Sequence, residues 1–105
     1  MEFSRTSIIP TTGVVPAISS ILQGLCLPGD EVIIQTPAYN CFFSSVRNSG
    51  LVLSENALKL VNGRWEIDFE DLEERASREK ARALLFCNPQ NPTGRVWTRD
   101  ELTRV

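Results

Sequence analysis

A chain of 105 residues has material for one small domain with a single core. Its 11 basic and 13 acidic residues give a net charge of -2, with no block of like charges and no apolar run approaching the ~20 residues of a membrane span. Nucleic acid and membrane surfaces are therefore not expected partners. The cysteines Cys26, Cys41 and Cys87 are odd in number, widely spaced and set among apolar residues, a pattern that fits buried free thiols in a reducing compartment. With no signal-peptide-like stretch at the start, a cytoplasmic location is expected. The opening "MEF" belongs to no pattern that follows and reads as a foreign or truncated start.

Helical spacing begins at Val14 and continues through Ile18, Ile21, Leu22 and Leu25, with Pro16 in a first turn where its missing N–H costs nothing. A first helix is predicted over "VVPAISSILQGL". The turn "LPGDE" leads into "VIIQT", a continuous apolar run of the kind a strand buried on both faces requires. Tyr39, Phe42, Phe43 and Val46 return to helical spacing, and Gly50 is placed to stop that second helix. "LVLS" reads as the second strand. Asn62-Gly63 between two semi-apolar runs predicts a two-residue hairpin turn. Asp68 is suited to cap a helix over "FEDLEERASRE", whose acidic residues crowd the first turn where the helix dipole favours them. "ARALLFC" is the third buried strand, and Thr98 with Glu101 forms a capping box at the start of a helix running to Val105.

Strands alternating with helices predict parallel β-α-β crossovers and an α/β fold, part of a three-layer arrangement in which helices flank a sheet of mainly parallel strands. Three principal strands with a last helix of one turn would leave apolar faces uncovered. The expectation is a piece of a larger domain: residues 1–10 as an N-terminal extension and residues 11–105 as partial domain, with self-association to cover the bare faces.

In open α/β sheets ligands gather outside the carboxyl ends of the strands. Three segments should meet there: "TTGVVP", "TPAYN" and "NPQNPTG". Gly13 precedes a helix, so backbone N–H groups near Val14 and Val15, with the Thr11 or Thr12 hydroxyl, are able to hold a phosphate; the plain alternative is an ordinary helix cap. Tyr39, directly after Pro37-Ala38, is placed to stack on a flat heterocycle or to serve as a core aromatic. Asn91, held in a segment that prolines stiffen, either donates to a phenolate-like oxygen or is a turn asparagine.

"TTGVVPAI", "TPAYNCFF" and above all "NPQNPTGRVWTRDEL" resemble the large domain of fold-type I pyridoxal-phosphate enzymes of the aminotransferase class I and II family. Within that family the likeness is to the MalY/PatB branch, the cystathionine β-lyases or carbon–sulfur lyases. The resemblance runs from about Thr11 to Val105 and implies the cofactor pyridoxal 5′-phosphate. It further implies that Asn91 hydrogen-bonds the cofactor's 3-hydroxyl oxygen, that Tyr39 stacks on the pyridine, and that the amides of Gly13, Val14 and Val15 approach the phosphate. Cis peptides are implied at Thr36-Pro37 and Asn91-Pro92, where proline makes that isomer accessible. The substrate implied is a sulfur amino acid that loses its α-proton and then a thiol from the β-carbon, giving pyruvate and ammonia. In an aminotransferase the same residues would serve a different outcome.

The family also needs a Schiff-base lysine in a Ser-x-Ser-Lys-like context, an aspartate for the pyridine nitrogen and an arginine for the substrate carboxylate. Lys59 in "ALKLV" and Lys80 in "REKAR" do not match the first, and read as a strand-edge residue and a solvated helix end. The resemblance puts the missing groups after Val105, apart from a tyrosine contributed from an N-terminal segment across a dimer interface. The chain alone is therefore expected not to turn over, and no catalytic or metal-ligating residue is assigned within it. The expected function is part of a pyridoxal-phosphate-dependent carbon–sulfur β-lyase. The alternatives are part of a class I or II aminotransferase, or a non-catalytic α/β binding or assembly module.

Overall fold

The computed structural model describes residues 4–105, so the opening "MEF" lies outside the described residues. A short 3-10 turn at Arg5–Ser7 precedes α1 (Val14–Leu25), β1 (Glu31–Thr36), α2 (Asn40–Asn48) and β2 (Val52–Ala57). A small hairpin of β3 (Lys59–Val61) and β4 (Arg64–Glu66) follows, then α3 (Phe69–Ala76), β5 (Ala81–Leu85) and α4 (Arg99–Arg104).

The main sheet has the order β2-β1-β5, with both neighbours parallel to β1. Alternation along β1 sends its residues to opposite faces. Val32 belongs to a core with Leu22, Cys26, Val46 and Leu51, covered by α1 and α2. Ile33 belongs to a second core with Leu58, Ile67, Leu72 and Trp97, covered by the hairpin, α3 and the segment before α4. These are the three layers expected of the α/β reading, and Val32 and Ile34 at their centre are fully buried.

The second face also carries a polar network. Fully buried Asn56 on β2 donates through Nδ2 to the Asp68 carbonyl at 3.0 Å and to Asp71 Oδ2 at 2.7 Å, while its Oδ1 accepts from Gln35 Nε2 at 3.4 Å. Arg75 closes the network, donating to Asp71 Oδ2 at 2.7 Å and to Ser54 Oγ at 3.3 Å. A strand predicted from apolar residues alone ends at Ser54; this network carries β2 three residues further, to Ala57.

Local signals are matched closely. Asn62 and Gly63 adopt φ of 51° and 79°, the pair of left-handed residues that a two-residue turn joining twisted strands requires. Asp68 accepts from the Asp71 amide, and both halves of the Thr98–Glu101 capping box are formed. Two boundaries differ from expectation. α3 stops at Ala76 because the Arg78 amide bonds the Arg75 carbonyl at 3.2 Å in a tighter turn, from which the chain swings so that the Lys80 carbonyl accepts from the Glu31 amide at 2.8 Å. β5 ends at Leu85 because the Cys87 carbonyl accepts from the Trp97 indole at 3.0 Å instead of joining a strand ladder. The three cysteines are free thiols, Cys26 buried and the other two half-buried. Among the described residues no helix is long and apolar enough to cross a membrane.

Candidate functional site

The connections fix where a ligand crevice lies. From β1 the chain crosses through α2, on one face, to β2 at one side; it then returns through α3, on the other face, to β5 at the opposite side of β1. The direction of winding reverses between β1 and β5, and it is outside the carboxyl ends at such a switch point that open α/β sheets receive their ligands. The loops there carry Pro37 to Tyr39 after β1 and Phe86 to Gly94 after β5. α1 reaches the same edge: a short turn joins its carboxyl end to the start of β1, so its amino end at Gly13 lies toward the strands' carboxyl ends.

At that amino end Gly13 is the cap residue and supplies no side-chain hydrogen bond. The first intrahelical bond runs from the Ala17 amide to the Gly13 carbonyl at 3.1 Å, and Pro16 has no N–H. Among the described residues the amides of Val14 and Val15 are thus the donors of the first turn without a partner. Of the two candidate hydroxyls, that of Thr11 donates to the Gly13 carbonyl at 3.3 Å.

Tyr39 caps α2 without being part of it: φ of -59° and ψ of 129° keep it extended, and its carbonyl accepts from the Phe42 amide at 2.9 Å. Its ring meets Phe42 edge to face, with centroids 5.9 Å apart and planes at 88°, and the residue stays 42% exposed. Hydrogen bonding with the Cys41 side chain holds the phenol above its ordinary pKa, so the ring is neutral at physiological pH. Asn91 is exposed, and among the described residues its carboxamide has no hydrogen-bond partner.

Cis peptides occur at Thr36-Pro37 and Asn91-Pro92, as the sequence likeness implies, and also at Asn88-Pro89, which it does not. The loop after β5 is built from its own side chains. Gln90 is 2% exposed; its Oε1 accepts from the Thr93 amide at 3.0 Å and the Thr93 hydroxyl at 2.6 Å. Gly94, at φ of 73°, donates its amide to the Gln90 carbonyl at 2.7 Å and supplies the left-handed residue the turn needs. Asn88 Oδ1 accepts from the Trp97 amide at 3.2 Å. Arg95 lies over the Trp97 ring at 4.8 Å, donates to the Trp65 carbonyl at 3.0 Å and pairs with Glu101. Burial pushes the Glu101 carboxyl up, but hydrogen bonds from Thr98 and Arg95 outweigh it and hold the pKa below its ordinary value. An apolar strand runs into this Pro- and Asn-rich segment because the segment is a scaffold anchored by Trp97 and Arg95.

The structure brings the loops of Tyr39 and Asn91 to one edge. No hydrogen bond among the described residues joins Tyr39, Asn91 and Gly13 directly. The link between the loops is Gln90 Nε2, which donates to the Pro37 carbonyl at 2.6 Å. No local pattern in the sequence marks Gln90, because its partner is 53 residues away. A separate depression of about 450 Å³ beside α3 is lined by Asp68, Glu70, Asp71 and Glu74, a charge unsuited to an anionic ligand.

A parallel sheet wound in both directions from β1, with a helix amino terminus and two hydrogen-bonded loops toward its carboxyl edge, defines an α/β domain of the kind that holds a phosphorylated ligand at its strand ends. The chain belongs to the aminotransferase class I and II family, whose model matches residues 1–105. It is 39% identical to the cystathionine beta-lyase PatB of Bacillus subtilis over 94% of this chain and 26% of that protein. It is 35% identical to kynurenine–oxoglutarate transaminase 3 of Mus musculus over 90% of this chain and 22% of that one. The solved PLP-bound C-S lyase from Staphylococcus hominis superposes with a TM-score of 0.94 at 30% identity, over 99% of this chain and 27% of its own. The chain therefore spans about a quarter of the length of these relatives.

Proposed function

We propose that residues 11–105 are part of the pyridoxal 5′-phosphate-binding domain of a carbon–sulfur β-lyase of the cystathionine β-lyase type, with residues 1–10 as an N-terminal extension. What supports the reading is the hydrogen bond that joins the loops after β1 and β5, Gln90 Nε2 to the Pro37 carbonyl, together with 39% identity to a cystathionine beta-lyase over 94% of the chain. The residues present fit the cofactor. The uncapped amides of Val14 and Val15, beside a Gly13 with no side chain, offer donors and the positive end of α1 to a phosphate. The neutral, part-exposed Tyr39 ring suits a pyridine face, and the unpartnered Asn91 carboxamide suits its 3-hydroxyl oxygen. When bound, pyridoxal phosphate supplies an electron sink for the carbanion left when a substrate's α-proton departs. The chain's own residues in this reading bind and orient the group.

Neither lysine is fitted to be the covalent anchor. Lys59 Nζ pairs with Asp68 at 2.5 Å, and that contact raises its pKa, keeping protonated an amine that must be neutral to attack a carbonyl. Lys80 sits where β5 begins, its carbonyl bonded to the Glu31 amide, at the edge opposite the crevice. The 105-residue chain alone is accordingly proposed to be inactive, with a sulfur amino acid as substrate of the complete enzyme, a cytoplasmic setting suited to its three free thiols, and self-association. A titration followed by difference absorbance tests the cofactor reading: pyridoxal 5′-phosphate should bind and pyridoxal should not. Equal binding of both, or of neither, contradicts it. Borohydride treatment of the mixture should leave no stable label on Lys59 or Lys80.

The transaminase relative, 35% identical, favours a second reading in which the parent enzyme is an aminotransferase. The complete enzyme separates the two. Pyruvate released from L-cystathionine without an added keto acid supports the lyase; a strict need for a keto-acid acceptor supports the aminotransferase.

A further inference from the structure

The crevice depends on the relative placement of two loops that come from strands far apart in the chain. Among the described residues a single hydrogen bond joins residues 37–39 to residues 86–97, from Gln90 Nε2 to the Pro37 carbonyl at 2.6 Å. Gln90 is 2% exposed, and both ends of its amide are engaged: the nitrogen across to Pro37, the oxygen with the amide and hydroxyl of Thr93. The residue following it is Asn91, and Tyr39 stands two residues beyond Pro37. Neither carries a hydrogen bond of its own across the gap. A buried amide bonded at both its nitrogen and its oxygen holds its neighbours in one arrangement, since losing either partner would strand a desolvated polar group.

We infer that Gln90 is a positioning residue: its side-chain amide clamps the loop after β1 to the loop after β5 and thereby sets Tyr39 and Asn91 at the spacing a flat phosphorylated ring requires. The inference rests on the cofactor reading above for its purpose, but not for the clamp itself. Gln90→Glu separates the two ends of the amide. One carboxylate oxygen still accepts from Thr93, while the other faces the Pro37 carbonyl, acceptor against acceptor. Gln90→His restores one donor and one acceptor in a side chain of related reach. Thr93→Val removes two bonds within the loop, the hydroxyl's donation to Gln90 Oε1 and its acceptance from the Arg95 amide, and leaves the crossing bond intact.

Backbone order parameters of Ala38 and Tyr39 from ¹⁵N relaxation, and affinity for pyridoxal 5′-phosphate, are measured for the parent chain and each variant. Folding is checked by the dispersion of the amide spectrum. Gln90→Glu should lower both order parameters and weaken binding about tenfold, Gln90→His should recover most of each, and Thr93→Val should leave affinity within about twofold. If Gln90→Glu does not fold, Gln90→Met, similar in volume and without a donor, takes its place. Unchanged order parameters overturn the clamp. Lowered order with unchanged affinity overturns its positioning role. A parent chain that does not bind pyridoxal 5′-phosphate overturns the cofactor reading, and the order parameters alone then decide the clamp.

Discussion

Tyr39 and Asn91 are conspicuous for how little they do inside this chain. Asn91 is exposed with no hydrogen-bond partner among the described residues, and Tyr39 touches Phe42 at a ring edge while 42% of it stays accessible. Side chains kept for packing are usually covered, so removing these two should cost binding and not stability. Asn91→Ala is expected to weaken pyridoxal 5′-phosphate binding about five- to tenfold, the worth of one hydrogen bond, and to shift Tm by no more than about 1 °C. A matched titration and thermal melt checks both. These two residues could be picked out from a local motif. Gln90 could not: its meaning lies in a carbonyl 53 positions earlier, and a glutamine flanked by Pro89 and Asn91 looks like any other loop residue until β1 and β5 are seen side by side.

Among the elements, those governed by near neighbours were legible and those governed by distant ones were not. Asp68 capping α3, the Thr98–Glu101 box and the Asn62-Gly63 turn involve partners within four residues, and each is formed. The apolar pattern ends β2 at Ser54 and the strand runs on to Ala57, because its last residues are held by Asn56, whose partners Asp68 and Asp71 lie 12 and 15 positions away. Asn56 is fully buried, and its removal leaves the Gln35 amide without an acceptor and Asp71 with one donor fewer. Asn56→Ala should therefore destabilise the chain by about 2 kcal/mol or more in urea unfolding, whereas Asp68→Ala, which removes a helix cap, should cost about 1 kcal/mol.

At the scale of the whole molecule, charge and exposed apolar surface make distinct claims. Hydrogen bonding from Lys59 to Asp68 and from Arg75 to Asp71 lowers both carboxyl pKa values, and that of Glu101 is lowered as well. Groups whose folded pKa lies below the unfolded value stabilise the fold above about pH 4, and that contribution disappears as pH falls through the depressed folded values. The urea midpoint should accordingly stay level from neutral pH down to about pH 5 and fall below about pH 4, with Asp71→Asn showing a shallower decline. Val14, Ile21, Leu25 and Leu27 along and just after α1 are each more than half exposed. Sedimentation should then show self-association at micromolar concentration, and a clean monomer would count against it. The layered α/β order was readable from alternating periodicities. The reversal of winding at β1, which locates the crevice, was not, because periodicity says nothing about the side of a strand on which its successor pairs.

The central claim is that the strand-end loops and the start of α1 together receive a phosphorylated pyridine. Amide chemical-shift mapping during titration with pyridoxal 5′-phosphate tests it most directly. The account predicts saturable shifts at the Val14 and Val15 amides, at Tyr39 and at the Asn91 side-chain amide, with the residues of α3 unmoved. Shifts confined to α3 or to the lysines, or none at saturation, would contradict it.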